Sequence, residues 1–379
     1  MMKIYSPRIF NINAPAAGNY PQGFYKYPYK TTSQDTELFS QTLEWSPSVP
    51  KVFAADTQYT AVLTLEPADD SHTFSGTGIN EITGLPKNGV QDITISIDGK
   101  NLVIKILFEK TKSDFSAPLL IFSDEFNSNS LDLNKWDLCP EMDRQGRSSW
   151  RDDMVSVGGG LLHLRFARDA ELGKSKSKDN ALAENWIRAS GIRTQTKDNK
   201  MLFFNNFGFY EARIKFPVVS GTWGAFWLMS PTQRFITEDG TNGTEIDIIE
   251  TIKNQHGNFN SALHWNGYGD KHKFVSSKTR RDDNKRPDIN IFDGEFHTFA
   301  LDWSPSQYVF FIDSHVFWQV DGGGFFNNSG INQNPNYIKL TTEGAVYSGD
   351  LPGDFTESEM LVDWVRVYNQ PCSQETGAG

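Results

Sequence analysis

The sequence predicts an all-β protein, a small β-sandwich followed by a much larger one, and three observations carry that expectation. Strand-length apolar runs recur at short intervals from Tyr59 to Tyr368, with turn-forming Gly, Pro, Asn and Asp between them. Period-two alternation is common and helical periodicity is scarce. Aromatic residues make up 13% of the chain, including ten Trp and 28 Phe, which suits a sandwich core with an aromatic-lined cleft.

A chain of 379 residues exceeds one average domain and suggests two. Residues 1–116 read as an immunoglobulin-like accessory module. Its runs are Tyr59–Leu65, Asp92–Ile97 and Leu102–Phe108, and Asp98-Gly99 is a hairpin signal. Its first 45 residues are less regular. Tyr25, Tyr27 and Tyr29 form an alternating row there, either a sugar platform or a surface packed on the larger domain; packing is the preferred expectation. A linker near Lys112–Pro118 leads into residues 117–379. Strand candidates Leu161–Phe166, Phe207–Phe216, Phe296–Trp303, Tyr308–Asp313 and His315–Val320 fill that part. So many strands in one unit fit a large sandwich or jelly roll. Gly158–Gly160 and Gly322–Gly324 read as turns, because neither has the context of a phosphate loop.

Formal charge is 36 − 47 = −11, which argues against nucleic-acid or anionic-membrane partners and suits a neutral polymer. No run of about 18 apolar residues is present to span a membrane. The two cysteines, Cys139 and Cys372, are either a disulfide or two free thiols, and no Cys/His metal cluster occurs. Met1–Tyr5 lacks an apolar signal region. The expectation is a secreted or cell-surface monomer whose signal peptide is absent from this sequence, because a polymer substrate is met outside the cytoplasm.

The most informative stretch is Glu245-Ile246-Asp247-Ile248-Ile249-Glu250. In a strand, Glu245 and Asp247 share a face. Glu250 joins them only if a β-bulge near Ile248 or Ile249 absorbs one residue. The Ile residues then enter the core and three acids line one surface, where they repel and raise each other's pKa. Two readings are open for the Glu-x-Asp pair: a solvent face, or a nucleophile and proton donor. The third acid and the flanking aromatics, Trp223–Trp227 before it and His264-Trp265 after it, favour a sugar cleft.

These motifs resemble those of glycoside hydrolase family 16, the laminarinase and lichenase family, over about residues 119–370. Glu245–Glu250 resembles its bulged Glu-x-Asp-x-x-Glu signature. Phe207–Arg213, Phe296–Trp303 and Leu361–Tyr368 resemble its neighbouring strands. The resemblance implies a concanavalin A-like β-jelly roll, retaining hydrolysis of internal β-linkages, and no cofactor for catalysis. It implies Glu245 as nucleophile, Asp247 as helper acid and Glu250 as general acid/base. It also implies Trp223 and Trp227 as cleft aromatics and His264 as the histidine of the neighbouring strand. The alternative for His264 is a hydrogen-bonded structural role, with the functional one preferred. Arg213 either contacts substrate or the acids or makes a structural salt bridge, and Trp150 and Trp186 either wall the cleft or fill the core. The family often carries a calcium ion on the convex side, held by backbone oxygens and one Asp, and Glu125, Gly160 and Asp363 fall at the matching positions.

Two departures leave the polysaccharide open. Gly224 follows Trp223 where laminarinases have Pro, and Ile338–Gly344 lacks their Asn-Leu-Ala-Val pattern. The expected substrate is β-1,3 or mixed β-1,3-1,4 glucan. The alternatives are a β-galactan of the agar, carrageenan or mucin type, or a non-catalytic carbohydrate-binding protein.

In a strand, Trp223, Ala225 and Trp227 share one face, and Gly224, Phe226 and Leu228 the other. If the first face bears the acids, two indoles flank a trough with Phe226 and Leu228 in the core. The reverse arrangement buries both Trp.

Overall fold

The computed structural model describes the chain except residues 1, 5–6, 10–11, 30–37, 50, 75–76, 78–81, 113–117, 238, 254–257, 278–289, 322–329, 346–347 and 370–379. Among the described residues, sheet membership changes after Phe108. A five-stranded sheet holds the earlier part, and two large sheets begin with Leu120–Asp124.

The larger part is a two-layer sandwich, the jelly-roll architecture expected. A seven-stranded sheet runs in the order Lys273–Ser276, Asn258–Trp265, Glu245–Lys253, Trp223–Met229, Tyr337–Glu343, Gly191–Arg193 and Asp137–Leu138. An eleven-stranded sheet lies against it, centred on Glu357–Tyr368 between Leu161–Arg168 and Gly208–Lys215. Alternation creates the interface. Leu162, Leu164 and Phe166 are fully buried while their sequence neighbours are half-buried. They join Ile214, Leu301 and Val365, and from the other sheet Phe226, Leu228, Ile246, Leu263 and Leu340, in one core. Each such side chain contributes about 1.5–3 kcal/mol over its exposed state.

At Gly224 the two sheets pack without room for a side chain. A Cβ there would sit 2.9 Å from Met360 Sδ and from Phe216 Cδ1. Its N–H donates to Thr251 Oγ1 at 2.8 Å. Proline, the laminarinase residue here, would clash and remove that donor.

The N-terminal part has one regular antiparallel sheet in the order Phe24–Tyr29, Phe39–Ser46, Thr60–Pro67, Asn101–Phe108 and Val90–Asp98. The expected Asp98-Gly99 hairpin is present, with Gly99 at φ 61° and Asp98 opposite Asn101. The second layer of an immunoglobulin-like sandwich is not seen as a regular sheet among the described residues. Its place is taken by a two-stranded parallel pairing of Met2–Lys3 with His72–Thr73 and by Ile4, Ile9 and Ile12 in the core.

This part is docked rather than tethered. Leu301 and Trp303 enter the core of the sandwich, so Asp302 between them faces outward. The Tyr20 hydroxyl donates to Asp302, and Lys51 Nζ lies 2.7 Å from the same carboxylate. Asn206 Nδ2 donates to the Gly23 carbonyl at 2.9 Å. The side chains of Tyr25, Tyr27 and Tyr29 lie outside the described residues. Cys139 is a buried free thiol, pushed up by burial; Cys372 lies outside the described residues.

Candidate active site

Strand pairing shows how three acids come to one face. Phe226 pairs with Ile249, yet the next residue, Trp227, pairs with Asp247. Ile248 is therefore the extra residue of a β-bulge, at the position alternation required. Ile246, Ile248 and Ile249 all enter the core. Glu245, Asp247 and Glu250 go to the opposite face, only 8%, 2% and 7% exposed. That burial rules out an ordinary solvent-facing acid stripe.

Directly paired residues share a face, so the register names the acids' neighbours. Ala225 lies opposite Glu250, and Trp227 opposite Asp247. Trp223, two residues from Ala225, is on the same side. Phe226 and Leu228 are in the sandwich core, whereas Trp223 and Trp227 lie outside that cluster on the acids' side, buried to 9% and 6% exposure. Trp227 Nε1 donates to Thr341 Oγ1 at 3.0 Å. Trp223→Ala should weaken oligosaccharide binding about tenfold, the loss of one aromatic stacking contact, with little change in melting temperature. A loss of several kcal/mol in stability with affinity intact would place Trp223 in the core instead.

On the other flank, His264 lies opposite Glu245. Its Nε2 is 3.3 Å from Asp247 Oδ2. Ligand-type atoms of Glu245, Asp247 and His264 all fall within 4.8 Å of one another. His264 Nδ1 lies 3.0 Å from His272 Nε2, and the two rings stack at 5.1 Å and 5°.

Three charged groups that the motif analysis missed complete the site. Lys339 and Glu343 pair across from Trp227 and Trp223. Lys339 Nζ sits 3.8 Å from the Trp227 ring centre and 4.9 Å from that of Trp150. Arg144 Nε donates to Glu343 at 3.0 Å, and its guanidinium lies 4.4 Å from the Trp150 ring centre. Trp150 is thus buried behind two cations, with its indole donating to the Thr342 carbonyl at 3.0 Å; it supports the cleft charges and is no open sugar platform. Trp186 is buried too, donating to Ser149 Oγ at 3.0 Å. A signal for Lys339 and Glu343 was present: Lys339, Thr341 and Glu343 alternate with core residues Ile338 and Leu340.

Burial dominates the electrostatics. It raises the Asp247 carboxyl well above its usual range, and the Glu245 charge adds to this. It raises Glu250 well above its range too, reinforced by Asp247, Glu245 and Glu343 against an opposing effect of His264. Lys339 is lowered to about 8, chiefly by burial. The site holds protons on carboxyls at a pH where surface carboxyls are ionised.

The remaining candidate residues lie away from the acid trio, and for Arg213 the salt-bridge reading holds over the substrate one. Arg213 lies on Gly208–Lys215 in the eleven-stranded sheet. It pairs with Asp363 at 2.5 Å and lies over the Phe296 ring, far in the topology from the acids. At the expected calcium positions, the Glu125 carboxylate pairs with Arg366, at 2.9 and 2.8 Å, Gly160 lies in a turn at φ 79°, and the Asp363 carboxylate is shared with Arg213. The resemblance assigns the ion backbone oxygens and one Asp, and of these groups only the Asp363 carboxylate has a side-chain partner that bears on the assignment.

With the geometry in place, comparison with known proteins is informative. Residues 119–370 match the family model described as Beta-porphyranase A-D, GH16 domain. The chain is 22% identical over 274 residues to Glucan endo-1,3-beta-glucosidase A1 of Niallia circulans, covering 66% of this chain and 38% of that protein. It is 22% identical over 265 residues to Beta-glucanase of Rhodothermus marinus, covering 66% and 84%. It is 27% identical over 273 residues to Keratan-sulfate endo-1,4-beta-galactosidase of Sphingobacterium multivorum, covering 66% and 55%. The chain therefore spans well under two thirds of two of these three relatives. Among solved structures, a family 16 endo-glucanase from Bacteroides ovatus shares the fold at a TM-score of 0.50 and 22% identity, covering 65% of this chain and 99% of that one. The matched segment contains both large sheets and the buried acid trio, and the chain belongs to the GH16 domain family described as beta-porphyranase A-D, a family of glycoside hydrolases.

Proposed function

We propose that this chain is a retaining endo-β-glycanase that hydrolyses internal linkages of β-1,3 or mixed β-1,3-1,4 glucan. The observation that carries the mechanism is the buried acid trio on a bulged strand with Glu250 biased toward its protonated form. Glu245 attacks the anomeric carbon as the bond to the leaving oxygen breaks, and Glu250 gives that oxygen its proton. Glu250 then takes a proton from water. The water attacks the same carbon, the ester bond to Glu245 breaks, and both carboxyls return to their starting states. Asp247, between the two, steers their protonation by its charge and its contact with His264. The glucan assignment is supported by the relatives named as glucan endo-hydrolases.

A second reading, an endo-β-galactanase, is favoured by two specific observations. The family model carries the name beta-porphyranase, and one relative is named as a galactosidase. Lys339 and Arg144 also place two cations beside the trio, which a neutral glucan would not need. Digestion of laminarin, lichenan, barley glucan, agarose, carrageenan and mucin separates the two. Oligosaccharides from the first three support the glucan reading; products from the last three alone transfer the activity to galactans; no products from any would sink both. The substrate's size places the work outside the cell, and enzyme found only inside producing cells would count against that.

A further inference from the structure

Tyr268 touches the nucleophile and has no role in the scheme above. It sits on the loop between Asn258–Trp265 and Lys273–Ser276. The loop is shaped by left-handed backbone at Asn266 and Gly267, both φ 66°. Its base is fixed: the Gly267 N–H donates to the Gln233 carbonyl at 3.0 Å, and Asn266 Oδ1 accepts from the Thr237 N–H at 2.7 Å. The Tyr268 side chain is mostly exposed, yet its hydroxyl turns inward and donates to Glu245 Oε2. Its ring leans on His272 at 5.4 Å, which in turn stacks on His264. A solvent-facing tyrosine gains nothing for the core by this posture.

We propose that Tyr268 is a catalytic residue of the second half-reaction, holding a hydrogen bond to the Glu245 carboxylate as it leaves the sugar. The proposal rests on Glu245 being the nucleophile. In the glycosyl-enzyme one oxygen of Glu245 is bonded to the anomeric carbon and the other is a weakly charged ester carbonyl. As water attacks and the ester bond breaks, a full negative charge develops on that carboxylate. A donor fixed at its free oxygen is worth most at that point. The electron pair of the breaking bond returns to Glu245, the proton of the water goes to Glu250, and Tyr268 keeps its own proton throughout. Burial and the neighbouring Glu245 charge push the Tyr268 phenol up, consistent with a group that donates without ionising.

Other charges face Glu245 as well. Asp247 lies on its own strand and His264 on the next; Lys339, Glu343 and Tyr337 come from Tyr337–Glu343, and Arg144 from beyond the sheet. Of these, Tyr337 carries a hydroxyl, and its side-chain partner is Arg193.

The same logic sets an unusual kinetic signature. The first half-reaction starts from the full carboxylate and loses charge, so removing the donor does not slow it. Tyr268→Phe should lower kcat about tenfold or more and lower KM in parallel. Its kcat/KM should stay within about threefold of wild type. Acid-quenched enzyme should show more of its Glu245 peptide carrying a glycosyl group.

The measurements use the full chain and the polysaccharide that wild type degrades in the panel. Melting temperature provides a check that Tyr268→Phe is folded, and its retained ring on an exposed loop makes that outcome expected. Unchanged kcat, with KM unchanged or raised, would reduce Tyr268 to a wall of the cleft and overturn the proposal. Glu245→Ala assayed with sodium azide keeps the two claims separate. Rescue with a glycosyl azide product upholds Glu245 as nucleophile whatever Tyr268→Phe does. Failure of rescue, with the glycosyl group on another peptide, would remove the nucleophile assignment and this proposal with it.

Discussion

Glu245→Gln is expected to reduce turnover by about four orders of magnitude or more, with the protein still folded. The amide has the same shape as the carboxylate, so the packing of a side chain only 8% exposed is preserved. Its oxygen can still accept from Tyr268. What disappears is the lone-pair charge that bonds to the anomeric carbon, and no second carboxylate stands in the same register position opposite His264. A melting curve like wild type with activity lost is the expected pair of results. Near-wild-type activity in a folded Glu245→Gln would remove the nucleophile from this strand position.

Glu250→Gln is expected to lower turnover by about 10²–10⁴ and, at the same time, to stabilise the fold at neutral and alkaline pH. The second effect follows from the direction of its pKa. Burial and the charges of Asp247, Glu245 and Glu343 raise Glu250 well above its usual range. A carboxyl that binds its proton more tightly when folded stabilises the protein below its unfolded pKa of about 4.3. That contribution is lost as pH rises through the higher folded value. Wild type at pH 8 must either bury an anion among other acids or hold a proton against the solution pH, and the glutamine variant does neither. Its melting temperature should exceed that of wild type at pH 8 and converge with it near pH 4. Each kcal/mol amounts to about 2–4 °C in a domain of this size. A difference independent of pH would mean that Glu250 does not titrate in a buried site.

Some of this was legible in the sequence and some was not, for physical reasons. The bulge was legible because three acids and three isoleucines cannot otherwise separate onto two faces of one strand. The Trp223 face was legible because Phe226 and Leu228 are the more readily buried partners in the alternation. Adjacency of the tryptophan and acid strands was not, since the intervening loop from Pro231 to Gly243 allows other pairings. Lys339 and Glu343 arrive from nearly a hundred residues away, and only pairing with Trp227 and Trp223 puts them in the cleft. Arg213 stayed open because alternation assigns a residue to one of two faces but cannot say to which sheet its strand belongs. Its strand pairs with Glu357–Tyr368, where the bulge leaves Asp363 out of register and within reach of its guanidinium. Tyr268 escaped notice because loop residues carry no period, and its direction depends on two left-handed residues before it.

The central claim is double displacement at the anomeric carbon by carboxyls gathered on one face of one strand, with Glu245 as nucleophile. Proton NMR of freshly released reducing ends, followed from the first minutes of digestion, tests it most directly. The account predicts that the β-anomer appears first from the β-linked substrate and then mutarotates toward equilibrium. An initial α-anomer would mean a single inverting displacement and would contradict the assignment of Glu245 as nucleophile.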